Sequence, residues 1–451
     1  MKVQEDTIAA IASGVGGSIA IIRLSGPDAL PLAQQVWSGS KKLGAFSPRT
    51  LQLGELCDAD GTQIDRAMAV YMPEPRSYTG EDIVEIHTHG GAMITRLALR
   101  TLLNAGARHA DPGEFTKRAF INGKMDLTQA EAVADVINAH SEMALHTANR
   151  QLNGHLGRKV DEILAELTEV LAEIEVRMDF VEDDLNWKTT EELTGAVDRA
   201  IVHAKELLSH SEEGQILRNG IRLAIAGAPN AGKSSLMNLI LGHDRAIVTD
   251  IPGTTRDTLE ELAHIRSIPV HITDTAGLRE TDDIVEQHGV KRSYTSIQQS
   301  QIVLRLLDAT RALATQPIED GHLEGKKIIY VANKIDLNPT PGFADELNAP
   351  VYELSAATGG GLATLLDAIE EAAWGHPHHQ EPDVAINSRH SALLQETLDQ
   401  LALALPLIPD EEFELLAINL RTAIDAVGKI TGQTVAPDIL DYIFDQFCIG
   451  K

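Results

Sequence analysis

The sequence predicts an α/β domain of the P-loop type inserted in an all-α helical domain, with an α+β domain in front of both. Three observations predict it. Gly227-Ala-Pro-Asn-Ala-Gly-Lys-Ser234, a G-x-x-x-x-G-K-S stretch, follows the apolar run Leu223 to Ala226 and precedes the helix-forming Ser235 to Leu241. Apolar stripes at three- and four-residue steps flank that region on both sides and need partners to bury against. Residues before about 120 alternate short β-like runs with Gly and Pro breakers instead. At 451 residues the chain also exceeds what a single core usually supports. The expected divisions are 1–119, 120–215, 216–376 and 377–451.

In the first division, strands are expected at Ser18 to Leu24, Ala67 to Met72 and Asp82 to His87. They are separated by Ser25-Gly-Pro27, Asp60-Gly61, Pro73-Glu-Pro75 and Gly90-Gly91, with one helix-period segment, Met93 to Leu103. An antiparallel sheet follows. Arg23, Glu85 and Lys124 stand beside apolar strand or helix-start residues. Chemistry alone reads each as a surface or strand-end charge.

Helical periodicity starts at Leu127. Val160, Ile163, Leu164, Leu167, Val170, Leu171, Ile174 and Met178 make one stripe of a helix about five turns long, and the interleaved Glu162, Glu166, Glu169, Glu173 and Glu175 make its solvated face. Asp179 to Asp184 reads as an acidic break rather than a metal site. Beyond a His/Pro-rich linker at 375–382, helices are expected from Arg389 to Ala404 and from Asp410 to Ile430, with a last apolar stripe through Ile439, Leu440, Ile443, Phe444 and Phe447.

Between the helical parts, five runs read as a parallel sheet: Arg222 to Ala226, Val270 to Thr273, Ile302 to Leu307, Lys327 to Ala332 and Val351 to Leu354. Ligands on such a sheet bind at the carboxyl ends of the strands, and polar motifs lie there. In the first loop, backbone N–H groups of Asn230, Ala231, Gly232, Lys233, Ser234 and Ser235 can converge on phosphate oxygens at a helix N-terminus. Lys233 reaches the β and γ phosphates and Ser234 holds Mg²⁺. Asp274-Thr275-Ala276-Gly277 follows the second strand, with a carboxylate for Mg²⁺ and an amide for the γ-phosphate. Asn333-Lys334-Ile-Asp336 follows the fourth. The Asp336 carboxylate can accept from both N1–H and the 2-amino group of guanine, whereas adenine would leave it unpaired. Ser355-Ala356 ends the next strand, placed to meet the base O6 from the backbone. Four motifs in this order specify a GTP hydrolase far better than any one does.

The switch loop is expected between the first helix and the second strand, at Gly253-Thr-Thr-Arg-Asp257, with Thr255 completing Mg²⁺ coordination, and Thr249, Asp250, Ile251, Pro252, Gly253, Thr254 and Thr255 are expected to line the bound nucleotide. Leu278 stands where a catalytic glutamine would orient water, so another residue must do so. Glu280, Asp282, Asp283 and Glu286 are the candidates. Arginine-finger charge also needs a substitute, and Asn230 with carbonyls of the 249–254 loop could hold a monovalent cation. Arg305 lies inside an apolar strand and is expected to pair or to reach the strand end.

A balance of 38 basic against 66 acidic residues gives a net charge of −28. That argues against nonspecific binding to nucleic acid or anionic membrane across the whole surface, and leaves RNA to a local basic site or a second protein. Cys57 and Cys448 have no metal-ligand spacing, and no apolar run approaches the roughly 18 residues of a membrane span. A cytoplasmic protein with no membrane partner is expected.

Ile21-Ile-Arg-Leu-Ser-Gly26, Tyr78-Thr-Gly-Glu-Asp82, His87-Thr-His-Gly-Gly91, Gly113-Glu-Phe-Thr-Lys-Arg-Ala-Phe120, Asn122-Gly-Lys-Met-Asp-Leu127 and Phe447-Cys-Ile-Gly-Lys451 together resemble the bacterial tRNA-modification GTPase family MnmE, also called TrmE, over essentially the full length. The resemblance implies an N-terminal folate-binding α+β domain and a homodimer formed through it, with the flavoprotein MnmG as partner in a larger complex. It implies aminomethyl or carboxymethylaminomethyl modification at carbon 5 of the tRNA wobble uridine, with a 5-formyl- or methylene-tetrahydrofolate derivative as one-carbon source. On it, Arg23, Glu85, Lys124 and Lys451 match folate contacts, Glu286 the carboxylate that orients water, and Arg256 and Arg279 switch residues. Asn230, Thr249, Ile251 and Thr254 match a K⁺ site. The rival reading is a regulatory GTPase switch in RNA or ribosome assembly that modifies nothing; the folate-contact set and the Cys448 to Lys451 tail speak against it. Cys448 as a nucleophile is disfavoured, because no base lies near it in sequence.

Overall fold

The computed structural model describes residues 6–179, 187–243, 260–266, 268–274, 297–316, 326–340, 343, 347, 349–375 and 382–451. They fall into two compact units, one of Met1–Ala134, Gln151–Ala204 and Leu393–Lys451, the other of Asp135–Arg150 and Lys205–Ala392.

The first unit opens with β1 (Ile8–Ile11), β2 (Ile19–Ser25), α1 (Ala29–Val36), β3 (Trp37–Gly39), β4 (Gln52–Cys57), β5 (Gln63–Met72), β6 (Ile83–His89), α2 (Ala92–Asn104), β7 (Arg108–His109) and α3 (Glu114–Ile121). The seven strands form one sheet in the order β3-β4-β5-β6-β2-β1-β7. Every pairing is antiparallel except β1 with β7. Alternation along β2 and β6 turns Ile22, Leu24, Val84 and Ile86 toward α1 and α2, whose Leu32, Val36, Ala98 and Leu102 complete a core. The opposite face carries Arg23 and Glu85. The sequence reading expected one helix here and missed α1 and α3. Pro31 falls in the first turn of α1, where a missing N–H costs nothing.

The helical part comprises α4 (Leu127–Asn138), α5 (Glu142–Leu152), α6 (His155–Asp179), α7 (Thr190–Ser209) and α8 (Ser211–Asn219). Val160, Ile163, Leu164, Leu167, Val170 and Ile174 of the predicted stripe are buried on α6, whereas Leu171 is half-buried and Met178 exposed; the helix runs 25 residues, longer than the five turns expected by about two. The sequence reading did not single out α7, although Thr189 Oγ1 accepts from the Glu192 amide at 3.2 Å and Glu192 Oε2 from the Thr189 amide at 2.7 Å. That reciprocal cap was visible as Thr189-x-x-Glu192.

The second unit is built on β8 (Ile221–Gly227), α9 (Lys233–His243), β9 (Glu260–Ile265), β10 (Ile268–Asp274), β11 (Ile302–Asp308), β12 (Lys327–Asn333), β13 (Val351–Leu354) and α10 (Leu362–Trp374). Its strands run in the order β13-β12-β11-β8-β10-β9. All neighbours are parallel except β9 with β10. The five predicted strands are present. The sixth, β9, was not expected; it is an edge strand, and an edge strand tolerates the charges of Glu260 and Glu261 at its start. Half-buried Arg305 lies in β11 between Ala226 and Tyr330 and has a partner within the protein. The chain closes with α11 (Ser388–Ala404), α12 (Phe413–Thr431) and α13 (Pro437–Phe444), of which α12 packs along α6. Among the described residues no helix is long and apolar enough to cross a membrane.

Candidate functional site

Parallel strands bring Gly227, Asp274, Asp308, Asn333 and Leu354 to one edge of the second unit, each at the carboxyl end of its strand. From β8 the chain turns through Asn230, at φ 63°, and Gly232, at φ 99°, into α9. Two glycines are needed for space: a Cβ on Gly227 would lie 2.5 Å from Leu306 O, and one on Gly232 would lie 2.3 Å from Asn333 Nδ2. The Lys233 ammonium is buried and donates to Gly227 O at 2.8 Å and Ala228 O at 2.9 Å. Carbonyls thus hold a cation where phosphate oxygens would hold it more strongly. Exposed Ser234 and Ser235 stand in the first turn of α9, where the helix dipole favours an anion.

Mg²⁺ takes hard oxygen donors. The Ser234 hydroxyl opens α9, and Asp274 ends β10, paired in register with Ile225 of β8. A hydroxyl residue in the first turn of α9 and a carboxylate residue at the end of β10 are the donor chemistry Mg²⁺ takes.

The base end is organised by one buried amide. Asn333 Nδ2 donates to Ala231 O at 2.8 Å, and its Oδ1 accepts from the Ala356 amide at 2.9 Å. A single side chain therefore ties the end of β12 to the phosphate loop and to the loop after β13. Asp336 Oδ1 accepts from Ser355 Oγ at 2.7 Å. The sequence reading assigned the Ser355 and Ala356 amides to guanine O6, but here both bond within the protein, Ser355 N to Gly360 O at 2.8 Å and Ala356 N to Asn333.

Asp308 was not singled out from sequence. Its Oδ2 accepts from Lys334 Nζ at 2.7 Å and its Oδ1 from Thr310 Oγ1 at 2.6 Å. Burial alone would raise this carboxyl; the bonds from Lys334 and Thr310 outweigh it and hold the group below its ordinary range. The register pair Asp308 with Asn333 is the signal that could have found it, and register is not visible in a linear motif.

Thr249, Asp250, Ile251, Pro252, Gly253, Thr254, Thr255, Arg256, Thr275, Ala276, Gly277, Leu278, Arg279, Glu280, Asp282, Asp283 and Glu286 lie outside the described residues, as does most of the acidic stretch to Asp184. Of Asp274 only the backbone is described.

On the open face of the N-terminal sheet, Arg23 and Glu85 are register partners across β2 and β6, with Arg23 Nε 2.8 Å from Glu85 Oε1. The guanidinium stands 5.5 Å from the Tyr78 ring and 5.6 Å from the Phe115 ring. His87 Nε2 lies 3.4 Å from Glu85 Oε2. Burial would raise Glu85, but the bond from His87 and the Arg23 charge prevail, so the carboxyl sits below its ordinary range and is ionised at neutral pH. Lys124 Nζ donates to Pro75 O at 3.0 Å and its stem packs at Gly80, so it touches the loop that carries Tyr78. Lys451 is half-buried. Its tail bridges Ile449 to Pro112, and Gly450 abuts Ile11 of β1, next to Ala10, the register partner of Arg23. Cys57 and Cys448 are free thiols.

Tyr78, Phe115 and His87 join this site without having been expected individually. A charge network beneath them was also missed. Arg118, 4% exposed, meets Asp6 at 2.7 Å, Glu114 at 2.9 Å and Glu81 at 3.3 Å. Arg108 bonds Asp6 at 2.6 Å and Glu114 at 2.5 Å. Together with Tyr78 Oη to Thr116 Oγ1 at 2.9 Å and Asn122 Nδ2 to Thr79 O at 2.7 Å, it stitches the 75–82 loop to α3.

Comparison with known proteins bears on both sites. The family model "MnmE helical domain" matches residues 127–448 and "GTP-binding protein TrmE N-terminus" matches 7–124. The tRNA modification GTPase MnmE of Geobacter sulfurreducens is 44% identical over 458 residues, covering 99% of both chains. That of Clostridioides difficile is 41% identical over 457 residues, with the same coverage. Among solved structures, Era of Aquifex aeolicus bound to GDP·AlF4⁻ is 24% identical and covers 41% of this chain and 67% of its own, with a TM-score of 0.27. The G domain of the T. maritima FeoB iron transporter is 26% identical and covers 34% and 98%, with a TM-score of 0.26. Both scores are too low to bear on the fold.

Proposed function

The chain belongs to the MnmE family of tRNA modification GTPases, and from that membership we propose a potassium-stimulated GTP hydrolase that acts with the flavoprotein MnmG on carbon 5 of the tRNA wobble uridine. A tetrahydrofolate derivative, 5-formyl or methylene, supplies the one-carbon unit when bound. GTP hydrolysis and tRNA modification are properties of the family; the potassium, the folate and the partner are our reading for this chain.

The observation that carries the reading is the Arg23–Glu85 pair, an ionised carboxylate and a guanidinium 2.8 Å apart beneath Tyr78 and Phe115. A regulatory switch alone has no use for it. The residues suit a folate: an ionised Glu85 accepts from the amino and ring N–H groups of a pterin, flat rings cover its plane, and Lys124 and Lys451 suit its carboxylates. The same sheet face supports a homodimer formed through this domain. Register partners Leu53 and Met68, and Ile19 beyond them, are exposed on it at 56%, 38% and 55%.

At the nucleotide, Lys233 exchanges its carbonyl partners for the β and γ phosphates, and Asp336 accepts from the guanine edge. Ser234 and Thr255 would hold Mg²⁺. Asn230, Thr249, Ile251 and Thr254 would hold K⁺, which supplies positive charge to the phosphates in place of an arginine finger. Glu286 orients the attacking water, with Arg256 and Arg279 in the switches, and the site is completed when two nucleotide domains meet. The division at 216–376 within a helical domain completes this reading; Gln151–Ala204 and Leu393–Lys451, in one compact unit, flank that stretch in sequence and support it.

Titration of the full chain with a reduced folate, alone and as Arg23→Ala, tests the reading. Saturable binding that Arg23→Ala weakens supports it; a chain that binds no reduced folate overturns the one-carbon part.

A further inference from the structure

Lys334 is the second residue of the guanine motif, and its backbone lies at φ 69°, a left-handed conformation a lysine rarely adopts. That twist turns its side chain out of the line of β12, and its ammonium is pinned at the end of the neighbouring strand by Asp308 at 2.7 Å. Asn333 on one side of it is bonded to the phosphate loop, and Asp336 on the other carries the base acceptor. The Lys334 stem therefore runs between the phosphate and base ends of the site. Asp308 is well placed to act as anchor: its side chain is 8% exposed, and Gln316 holds its backbone, accepting from the Asp308 amide and donating to the Asp308 carbonyl, both at 2.8 Å. Arg311 Nε stands farther off at 3.8 Å and is well exposed, so Lys334 is the principal partner.

We propose that Asp308 is a positioning residue for guanine nucleotides: by fixing the Lys334 ammonium at the end of β11 it draws the lysine stem taut into an apolar floor for the base plane. Without the anchor the stem is free to take other rotamers, and ordering it is added to the cost of binding. The proposal rests on the assignment of Asn333 to Asp336 to guanine and goes one residue beyond it.

The test compares full-length Asp308→Asn, Lys334→Ala, their double variant, Thr310→Val and Asp336→Asn by equilibrium binding of fluorescent GDP and GTP and by steady-state hydrolysis. Asp308→Asn keeps an acceptor for Thr310 and removes the charge facing Lys334. It is expected to weaken both nucleotides roughly tenfold with kcat at saturating GTP unchanged. The double variant is expected to be no weaker than Lys334→Ala, because both changes remove one interaction. Thr310→Val, which removes the hydroxyl bond to Asp308 and leaves the Thr310 amide bond and the ion pair, should bind as the parent does. The proposal is overturned if Asp308→Asn binds as the parent, if the losses in the double variant multiply, or if Thr310→Val weakens binding equally, which would make Asp308 a loop residue only. Asp336→Asn should lose GTP and gain xanthosine triphosphate, whose C2 oxygen accepts from the new amide. Failure there overturns the guanine assignment itself, and its success with an unaffected Asp308→Asn overturns only the anchor.

Discussion

Replacing Arg118 with alanine is expected to destabilise the N-terminal sheet unit more than any surface change would. The guanidinium is 4% exposed and bonds three carboxylates, of which Glu114 is 9% and Glu81 13% exposed. Removing one partner of a buried ion pair costs about 3–5 kcal/mol, because the remaining charge stays out of water. Arg108 still bonds Glu114 and Asp6, which places the expected loss near the lower end, about 3 kcal/mol. At about 2–4 °C per kcal/mol for a unit of this size, the transition should fall by roughly 6–12 °C. Acid dependence supplies a second readout. Burial would raise Glu114, but the bonds from Arg108, the Asp111 amide and Arg118 hold it low in the folded state. A depressed carboxyl stabilises fully above its unfolded pKa, about 4.5, and that contribution is lost as pH falls through the folded value. Arg118→Ala should therefore lower stability at neutral pH and flatten the loss on acidification. Calorimetry of the full chain from neutral pH down to about pH 2 covers the window below the unfolded pKa and measures both. A drop of less than about 1 kcal/mol, with an unchanged acid limb, would refute a role for this network in holding the 75–82 loop.

Hydrolysis measured in potassium should exceed that in sodium, and Asn230→Ala should erase the difference; equal rates in the parent chain would remove the cation from the reading. Glu286→Ala should abolish turnover while sparing GTP affinity, whereas unchanged turnover would move the water-orienting role to Asp282 or Asp283. Lys233→Ala should weaken GTP binding by about two orders of magnitude, since it deletes a charge-assisted contact to phosphate, and isothermal titration would read it.

Motifs that act through spacing were legible in the chain. Gly227 to Ser234 and Asn333 to Asp336 need only a strand before them and a turn after, and the apolar runs supply both. What escaped was whatever depends on register or packing, including the pairing of residues that the family resemblance had already named. Arg23 and Glu85 are 62 residues apart and meet only because β2 and β6 pair in one register. Asp308 looks like any acid at a strand end until β12 sets Asn333 beside it. Neither α1 nor β9 was expected: Pro31 is harmless only because it sits in a first turn, and Glu260 and Glu261 suit a strand only because β9 is an edge. The Tyr78 and Phe115 rings needed the fold to bring α3 over the sheet.

The nucleotide edge satisfies its own polar groups: Lys233 lies on two carbonyls and Asp336 on the Ser355 hydroxyl. An arriving nucleotide therefore exchanges bonds rather than filling a vacancy, and only the difference appears as affinity. When hydrolysis removes the γ-phosphate, the same internal partners are within reach to take the side chains back. The resting bonds of Lys233 and Asp336 thus compete with the nucleotide at both the phosphate and the base motif.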